Sequence, residues 1–176
     1  MKKFLLMIVV AFASLTANAQ FYVGGTLNLW HDDNADATEF TLAPSVGYEL
    51  NKKWAIGGEL EFSAVSDYYT KFAIAPYARW SFFQKDRVKL FLDMGFGISV
   101  FDLDDDWDDV PGVDDSETGF QIGVQPGIAV ALTKHFSVLA KVGFFGYDDS
   151  YTNLKSEGFG LKLSGENLRF GIEYKF

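Results

Sequence analysis

Apolar and polar side chains alternate along this chain with a period of two residues, and this alternation limits the folds open to it. In the segment 21–30, Phe21 and Leu29 lie on one parity, whereas Thr26 and Asn28 lie on the other. Because successive side chains of a β-strand point to opposite faces, this alternation predicts a strand. The pattern recurs along the chain and predicts eight antiparallel strands, at 21–30, 40–50, 54–62, 72–82, 88–100, 120–132, 136–144 and 168–176. We therefore expect an all-β protein whose strands close into one barrel.

The two parities differ in bulk and charge, and this difference indicates which face meets lipid. The apolar parity carries large side chains without a single charge, and its aromatic residues gather near the strand ends. The other parity carries glycine and serine together with balanced charges, a set that fits the narrow interior of eight strands. Its acidic members are Glu39, Glu49, Glu59, Glu61, Asp93 and Glu173, and its basic members are Lys71, Arg79, Lys89, Lys141, Arg169 and Lys175. An outward apolar band with aromatic girdles is typical of membrane barrels. A soluble barrel with the faces reversed is the alternative fold.

The connections between the predicted strands alternate in length. Basic turns near 51–53, 84–87 and 133–135 are short, whereas the acidic connections near 31–38, 102–118 and 148–157 are longer. Outer-membrane barrels have short periplasmic turns and longer external loops. We therefore expect both termini on the periplasmic side and the acidic loops outside the cell. The link near 66–70 is an exception, because it is only slightly longer than a turn.

The first nineteen residues have the pattern of a secretory signal peptide. Lys2 and Lys3 precede an apolar run over 4–15, and small residues end the segment at Ala19. This pattern predicts cleavage between Ala19 and Gln20. The apolar run is too short to span about 30 Å of hydrocarbon as a helix. We expect a signal peptide at 1–19 and one barrel domain at 20–176.

The overall composition excludes several classes of function. The formal net charge is −9, and the chain has no cysteine. Nucleic-acid binding requires basic clusters, so nucleic acid is not an expected partner. A disulfide framework and a thiolate metal site are both excluded.

Two irregularities interrupt the strand pattern. Pro44, Pro76 and Pro126 lie within predicted strands, and we expect them to form a belt of bulges because proline cannot donate to the ladder. The apolar parity is odd at Phe159, and it is even from residue 168 onward. This change predicts a bulge or break near residues 164–167.

Several phrases resemble a known family. They are Ala43-Pro44-Ser45-Val46-Gly47-Tyr48, Ala75-Pro76-Tyr77-Ala78-Arg79-Trp80, Val124-Gln125-Pro126-Gly127 and the ending Arg169-Phe170-Gly171-Ile172-Glu173-Tyr174-Lys175-Phe176. Together with the alternation they resemble the small outer-membrane β-barrel domain family, the porin-like eight-stranded barrels akin to outer membrane proteins A and X.

That resemblance implies a location in the outer membrane of a Gram-negative cell. It also implies that Tyr174 and Phe176 form the C-terminal signal read by the barrel-insertion machinery. The partners it implies are periplasmic chaperones during biogenesis and the lipid and lipopolysaccharide of the outer membrane. We expect a monomer whose surface partner the sequence does not identify. The family includes adhesins, narrow pores and barrels without known function, so the resemblance does not select one activity.

Inward charges at similar heights predict a buried ion network. Arg79 and Asp93 are each seven residues from Asp86 at the centre of a turn, which places them opposite one another on adjacent strands. A buried charge is costly unless it is paired, so the simpler interpretation is that these ion pairs only stabilise the barrel. The functional alternative is a gate whose rearranged pairs open a water path. The predicted members are Glu59, Glu61, Arg79 and Asp93, with Lys141 or Arg169 reaching across.

The acidic segment after the fifth strand is a second candidate site. Carboxylate oxygens bind Ca²⁺, but the residues do not follow the spacing of an EF-hand loop. A solvated acidic loop is the default interpretation. The possible cation ligands are Asp102, Asp104, Asp106 and Asp108.

The sequence favours a non-enzymatic structural or surface-interaction protein with a largely plugged polar interior. The first alternative is a narrow, low-conductance pore that prefers cations because its outer mouth is acidic. A lipid A-modifying enzyme is a further alternative, for which His31 beside Asp32 is the available general base. No catalytic triad, resident metal or cofactor is expected.

Overall fold

A computed structural model describes residues 20–32, 37–65, 69–103, 116–152, 156–164 and 168–176. These residues form antiparallel strands. The strands are β1 (Gln20–Asp32), β2 (Ala37–Glu49), β3 (Trp54–Val65), β4 (Tyr69–Lys85), β5 (Val88–Leu103), β6 (Ser116–Ala131), β7 (Phe136–Lys141), β8 (Phe144–Asp149), β9 (Glu157–Lys162) and β10 (Arg169–Lys175). Among these described residues, no helix is long and apolar enough to cross a membrane.

Eight of the strands close into a ring. β1 to β7 pair in sequence order, and β10 joins β7 to β1. A walk around the ring from Thr118 of β6 through Leu27 of β1 returns to β6 at Ile128, ten residues along the strand. Such a stagger tilts the strands, typically by about 35–45° to the barrel axis. The predicted closed, eight-stranded antiparallel barrel is therefore confirmed.

The faces of the barrel are those that the alternation predicted. Leu29, Ile74 and Ile172 of the apolar parity are 67 %, 50 % and 53 % exposed, whereas Thr41 and Glu61 of the other parity are 2 % exposed. Burying charge inside and exposing large apolar side chains outside is the reverse of a soluble protein. The outer surface is therefore built for lipid.

The two ends of the barrel differ. We call the end with residues 50–53, 86–87 and 132–135 the turn end, and the opposite end the loop end. Side-chain oxygens close two of the turns, because Asn51 Oδ1 accepts from Lys53 N at 2.8 Å and Thr133 Oγ1 accepts from Phe136 N at 3.0 Å. Both described chain ends, Gln20 and Phe176, lie at the turn end: Gln20 pairs with Glu49, and Phe176 N donates to Phe21 O.

Aromatic pairs lie on the outer surface near each end. Trp54 and Trp80 stack at the turn end with ring centroids 6.3 Å apart. Phe62 and Phe72 contact each other nearer the loop end, at 5.1 Å. These pairs are consistent with two girdles that flank an aliphatic band.

The seventh predicted strand is interrupted. The chain leaves the ladder at Val142 and Gly143, and Gly143 has a φ of +67°, which L side chains rarely adopt. The parity therefore reverses, so Phe145 faces outward and Phe144 lines an interior cavity. The parity of the strand predicted over 136–144 would place Phe144 on the outer face, and that placement is wrong, because alternation alone does not reveal the inserted residue.

The prolines do not form the expected belt of bulges. The β2–β3 ladder omits pairs at Pro44, and the β4–β5 ladder omits pairs at Pro76. In both ladders the register is the same before and after the gap. Proline removes one donor while its φ suits an extended strand, so the strand continues. Near Pro126, the ladder to β7 and β8 does shift by one residue across Val142–Gly143. Another register shift lies between Ser81 and Phe83.

Candidate functional site

Two adjacent strands supply the central ion pair of the barrel interior. Arg79 on β4 lies directly opposite Asp93 on β5. Its Nε donates to Asp93 Oδ1 at 2.7 Å, and its Nη2 donates to Oδ2 at 2.9 Å. The third arm, Nη1, donates to Glu173 Oε2 on β10 at 2.8 Å. This bidentate geometry is the strong form of a charge-assisted hydrogen bond.

A bulge brings this pair into register. Lys85 pairs with Val88 across the two-residue turn, and that register alone would place Arg79 opposite Met94. The shift between Ser81 and Phe83 moves the ladder by one residue. Arg79 and Asp93 therefore meet because of the bulge as well as the turn.

Further pairs extend the network across the barrel. Lys141 Nζ on β7 contacts Asp93 Oδ2 at 3.3 Å and donates to Glu59 Oε2 on β3 at 2.7 Å. Arg169 Nη1 on β10 lies 3.4 Å from Glu59 Oε1 and 2.5 Å from Glu61 Oε2. Glu59 and Glu61 do not bond to Arg79 directly, because the tilt of the strands places their partners across the barrel.

The result is a continuous series of side chains of alternating charge, which we call the ion chain. It begins at Glu173 and ends at Lys71, whose Nζ lies 2.5 Å from Glu61 Oε1. It has four acidic and four basic members and no net charge, so each buried charge has a partner of opposite sign. Its members in order are Glu173, Arg79, Asp93, Lys141, Glu59, Arg169, Glu61 and Lys71.

The structure thus brings together the six side chains that the sequence grouped and adds two. Lys71 and Glu173 were recognised as inward charges but were not placed in the network. The sequence features that pointed to these two residues were the alternation and the balance of inward charges. Which charges meet depends on the stagger at which the barrel closes.

Aromatic rings pack against the ion chain around Arg79. Phe91 is fully buried, and the Arg79 guanidinium lies 4.0 Å from the centroid of its ring. The hydroxyl oxygens of Tyr22 and Tyr77 are 2.9 Å apart. We call Tyr22, Tyr77 and Phe91 the aromatic layer. The inward parity predicted small and charged interior side chains, and these three large rings were not among them.

Glycines on neighbouring strands make room for the rings. A Cβ added at Gly47 would lie 2.2 Å from Tyr22 Cζ, and one added at Gly127 would lie 2.3 Å from Phe91 Cζ. Real Cβ atoms do not approach that closely. The inward glycines are therefore the complement of the inward rings, a pairing of small and large side chains within a narrow interior.

Tyr151 folds back into the barrel from the loop end. It is 3 % exposed, and its carbonyl oxygen accepts from Lys71 Nζ and from Ser99 Oγ, both at 3.4 Å. The Lys71 ammonium lies 5.2 Å from the centroid of its ring. Burial raises the pKa of the Tyr151 phenol, so the ring stays neutral.

Polar cavities adjoin the ion chain. A cavity of about 340 Å³ at the loop end is lined by Lys71 and Arg169, and we call it the loop-end cavity. A cavity of about 280 Å³ at the turn end is lined by Arg79 and Glu173, and we call it the turn-end cavity. A smaller cavity of about 70 Å³ lies between them against Tyr77. The ion chain therefore runs from one large cavity to the other.

A second ion cluster lies at the turn end. Glu49 Oε1 accepts from Lys89 Nζ at 2.8 Å and from Lys175 Nζ at 2.5 Å. All three side chains are partly buried. The sequence placed them on the inward parity but gave no reason to group them.

The remaining predicted site residues fall in different places. Asp102 belongs to β5, where it pairs with Thr70 and Ser116, rather than to a loop. Asp104, Asp106 and Asp108 lie outside the described residues, as does Ala19. Within the part of the chain that the structure describes, no group of three or more acidic or histidine side chains could hold a metal ion. Calcium binding by the acidic loop stays a prediction.

The terminal aromatic residues lie on the outer surface at the turn end. Tyr174 and Phe176 are 43 % and 63 % exposed, and their rings contact each other edge to face. Gln20 is the first residue of β1. His31 Nδ1 lies 3.0 Å from Thr38 Oγ1, so the histidine considered for catalysis already has a hydroxyl partner.

Comparison with known proteins gives a consistent result. The family model of the outer membrane protein beta-barrel domain matches residues 4–176. The N-terminal β-barrel domain of Pseudomonas aeruginosa OprF is similar in structure, with a TM-score of 0.58 at 10 % identity over 90 % of this chain and 98 % of that one. Neisserial surface protein A has a TM-score of 0.57 at 17 % identity, over 90 % of this chain and 97 % of that one. The structure of Yersinia pestis Ail in a phospholipid bilayer nanodisc has a TM-score of 0.50 at 12 % identity, over 90 % of this chain and all of that one. A search of curated proteins finds no match.

Proposed function

Because the chain belongs to the outer membrane protein beta-barrel domain family, we propose that this outer-membrane barrel has a structural or surface-interaction role and a polar interior that is closed to solutes. The proposed role is not enzymatic. It rests on the interior contacts and on the outward apolar face.

The ion chain is the observation that carries this proposal. It connects Glu173, beside the turn-end cavity, to Lys71, beside the loop-end cavity, through contacts of 2.5–3.4 Å. Three of its pairs join strands on different sides of the barrel, so opening a continuous water path would separate at least one of them. Leaving a buried charge without its partner costs about 3–5 kcal/mol. The aromatic layer supports closure, because its rings fill the space around the Arg79 guanidinium.

The turn end is proposed to face the periplasm. Short turns on that side and longer connections on the other are the arrangement of outer-membrane barrels. The signal peptide would direct export and be removed between Ala19 and Gln20, and insertion would use the signal of Tyr174 and Phe176. Lipid and lipopolysaccharide would cover the apolar face of a monomer. Mass spectrometry of the protein purified from outer membranes tests the cleavage, and protease treatment of intact cells tests the orientation.

A narrow pore is the second candidate function. The loop-end and turn-end cavities, of about 340 and 280 Å³, support it because each is a polar recess beside the ion chain. If the ion chain rearranges, the barrel would conduct weakly, and the acidic loops would favour cations.

Bilayer conductance of the refolded mature chain separates the two. A closed barrel predicts no stable channel for the wild type and channels for Arg79→Ala, Asp93→Ala and the double variant. The same samples should show heat-modifiable mobility on gels, which reports a folded barrel. Channels of constant conductance in the wild type would overturn closure and favour the pore. If all three variants conduct as the wild type does, the ion chain does not control the path.

A further inference from the structure

The turn-end cavity carries a surplus of positive charge. Its lining includes six basic and three acidic side chains. Two of the acidic groups have close partners of their own, because Glu173 accepts from Arg79 and Glu49 accepts from two lysines. Such a concave surface of one sign concentrates counter-ions.

The surplus is greatest at Lys89 and Lys175. Both ammonium nitrogens lie within 2.8 Å of a single oxygen, Glu49 Oε1, so they also lie close to each other. One carboxylate cannot neutralise two ammonium groups. The other acidic contact is longer, since Lys175 Nζ is 3.8 Å from Glu173 Oε1.

The two lysines retain donors for a ligand. An ammonium group has three N–H donors. Lys89 donates one hydrogen bond to Glu49, and Lys175 donates one to the same oxygen. Their side chains are 18 % and 15 % exposed, so they are partly shielded from water while still reachable from the cavity. Partial burial strengthens their attraction for an anion, because solvent screening is reduced.

We propose that the turn-end cavity binds a phosphate group through Lys89 and Lys175. Phosphate carries a charge between −1 and −2 near neutral pH and offers several acceptor oxygens, so it can bridge both ammonium groups at once. A simple carboxylate would have to compete with Glu49, which has the same charge and is already in place. The phosphate could be a free periplasmic ion or the headgroup of a lipid at the turn end. Only this choice of source depends on the proposed orientation in the membrane.

Titration of inorganic phosphate into the refolded mature chain tests the site. The detergent should be an uncharged maltoside, which contributes no phosphate, and sodium chloride should hold the ionic strength constant. Isothermal titration calorimetry should give a saturable heat for the wild type. Lys89→Gln and Lys175→Gln should each weaken binding by about tenfold or more, because each removes a charge-assisted hydrogen bond.

Two further variants make the test specific. Glu49→Gln should tighten phosphate binding, because it removes the internal competitor while leaving both lysines. Lys53→Gln removes an exposed turn lysine that does not line the cavity, and it should bind as the wild type does. Gel mobility shows whether each variant folds. If the lysine variants do not fold, the opposite sign expected for Glu49→Gln still decides the matter.

The absence of a saturable heat would overturn the proposal. So would equal weakening in Lys53→Gln, or unchanged affinity in Glu49→Gln. These results are independent of the conductance measurements, so this proposal and the proposed closure of the barrel fail separately. Repeating the titration in vesicles of an uncharged galactolipid, which contains no phosphate, with and without phosphatidylglycerol identifies the source. A headgroup ligand predicts that phosphatidylglycerol abolishes the heat of free phosphate, whereas a free-ion ligand predicts an unchanged heat.

Discussion

Replacing Arg79 with methionine keeps an unbranched, flexible stem but removes the charge and all the donors of the side chain. Three hydrogen bonds of 2.7–2.9 Å to Asp93 and Glu173 disappear, together with the contact to the Phe91 ring. Each charge-assisted bond contributes about 1.5–3 kcal/mol. Such terms are not additive, because Asp93 keeps Lys141 at 3.3 Å. The measured cost of removing one partner of a buried pair, about 3–5 kcal/mol, is therefore the expected loss in the free energy of unfolding.

The assay is reversible unfolding in urea in lipid vesicles, followed by tryptophan fluorescence and by gel mobility. Arg87→Met is the matched control, because it is the same substitution at an exposed turn residue. It should change the free energy of unfolding by no more than about 0.5 kcal/mol. If Arg79→Met costs less than about 1 kcal/mol, the ion chain does not stabilise the barrel as argued. Equal losses in the two variants would show that the effect reflects arginine content rather than burial.

Three other substitutions test separate parts of the structure. Gly127→Val should destabilise the barrel by about 1–3 kcal/mol through overlap with Phe91, whereas Gly158→Ala, which has open space around it, should be neutral in the same urea titration. Ile74→Arg places a charge on the lipid face and should cost about 2–4 kcal/mol if Ile74 lies near the bilayer midplane; a cost near zero would contradict the assignment of faces. Phe176→Ser should lower the amount of folded barrel in outer membranes of expressing cells, measured by heat-modifiable mobility, and an unchanged yield would refute the insertion signal.

The pairing of Arg79 with Asp93 depends on a bulge that the sequence does not reveal. Counting from Asp86 placed Arg79 opposite Asp93, and the structure has that pair. The count reached the right pair only because the shift between Ser81 and Phe83 offsets the two-residue turn. A bulge leaves a weak trace in sequence, since it is one extra residue in an otherwise regular alternation. The same difficulty explains the misplaced side chain of Phe144.

Local sequence is enough to predict the eight strands of the ring, their faces and the closed barrel, because a period of two is a local property that each segment carries independently. It also predicts which charges on those eight strands point inward. The closed ring decides which of those charges meet, since closure with a stagger of ten residues brings Lys141 to Glu59 and Arg169 to Glu61 across the barrel. It also decided that Lys89 and Lys175 share one carboxylate. These contacts join strands far apart in the chain, and no local pattern records the stagger that aligns them.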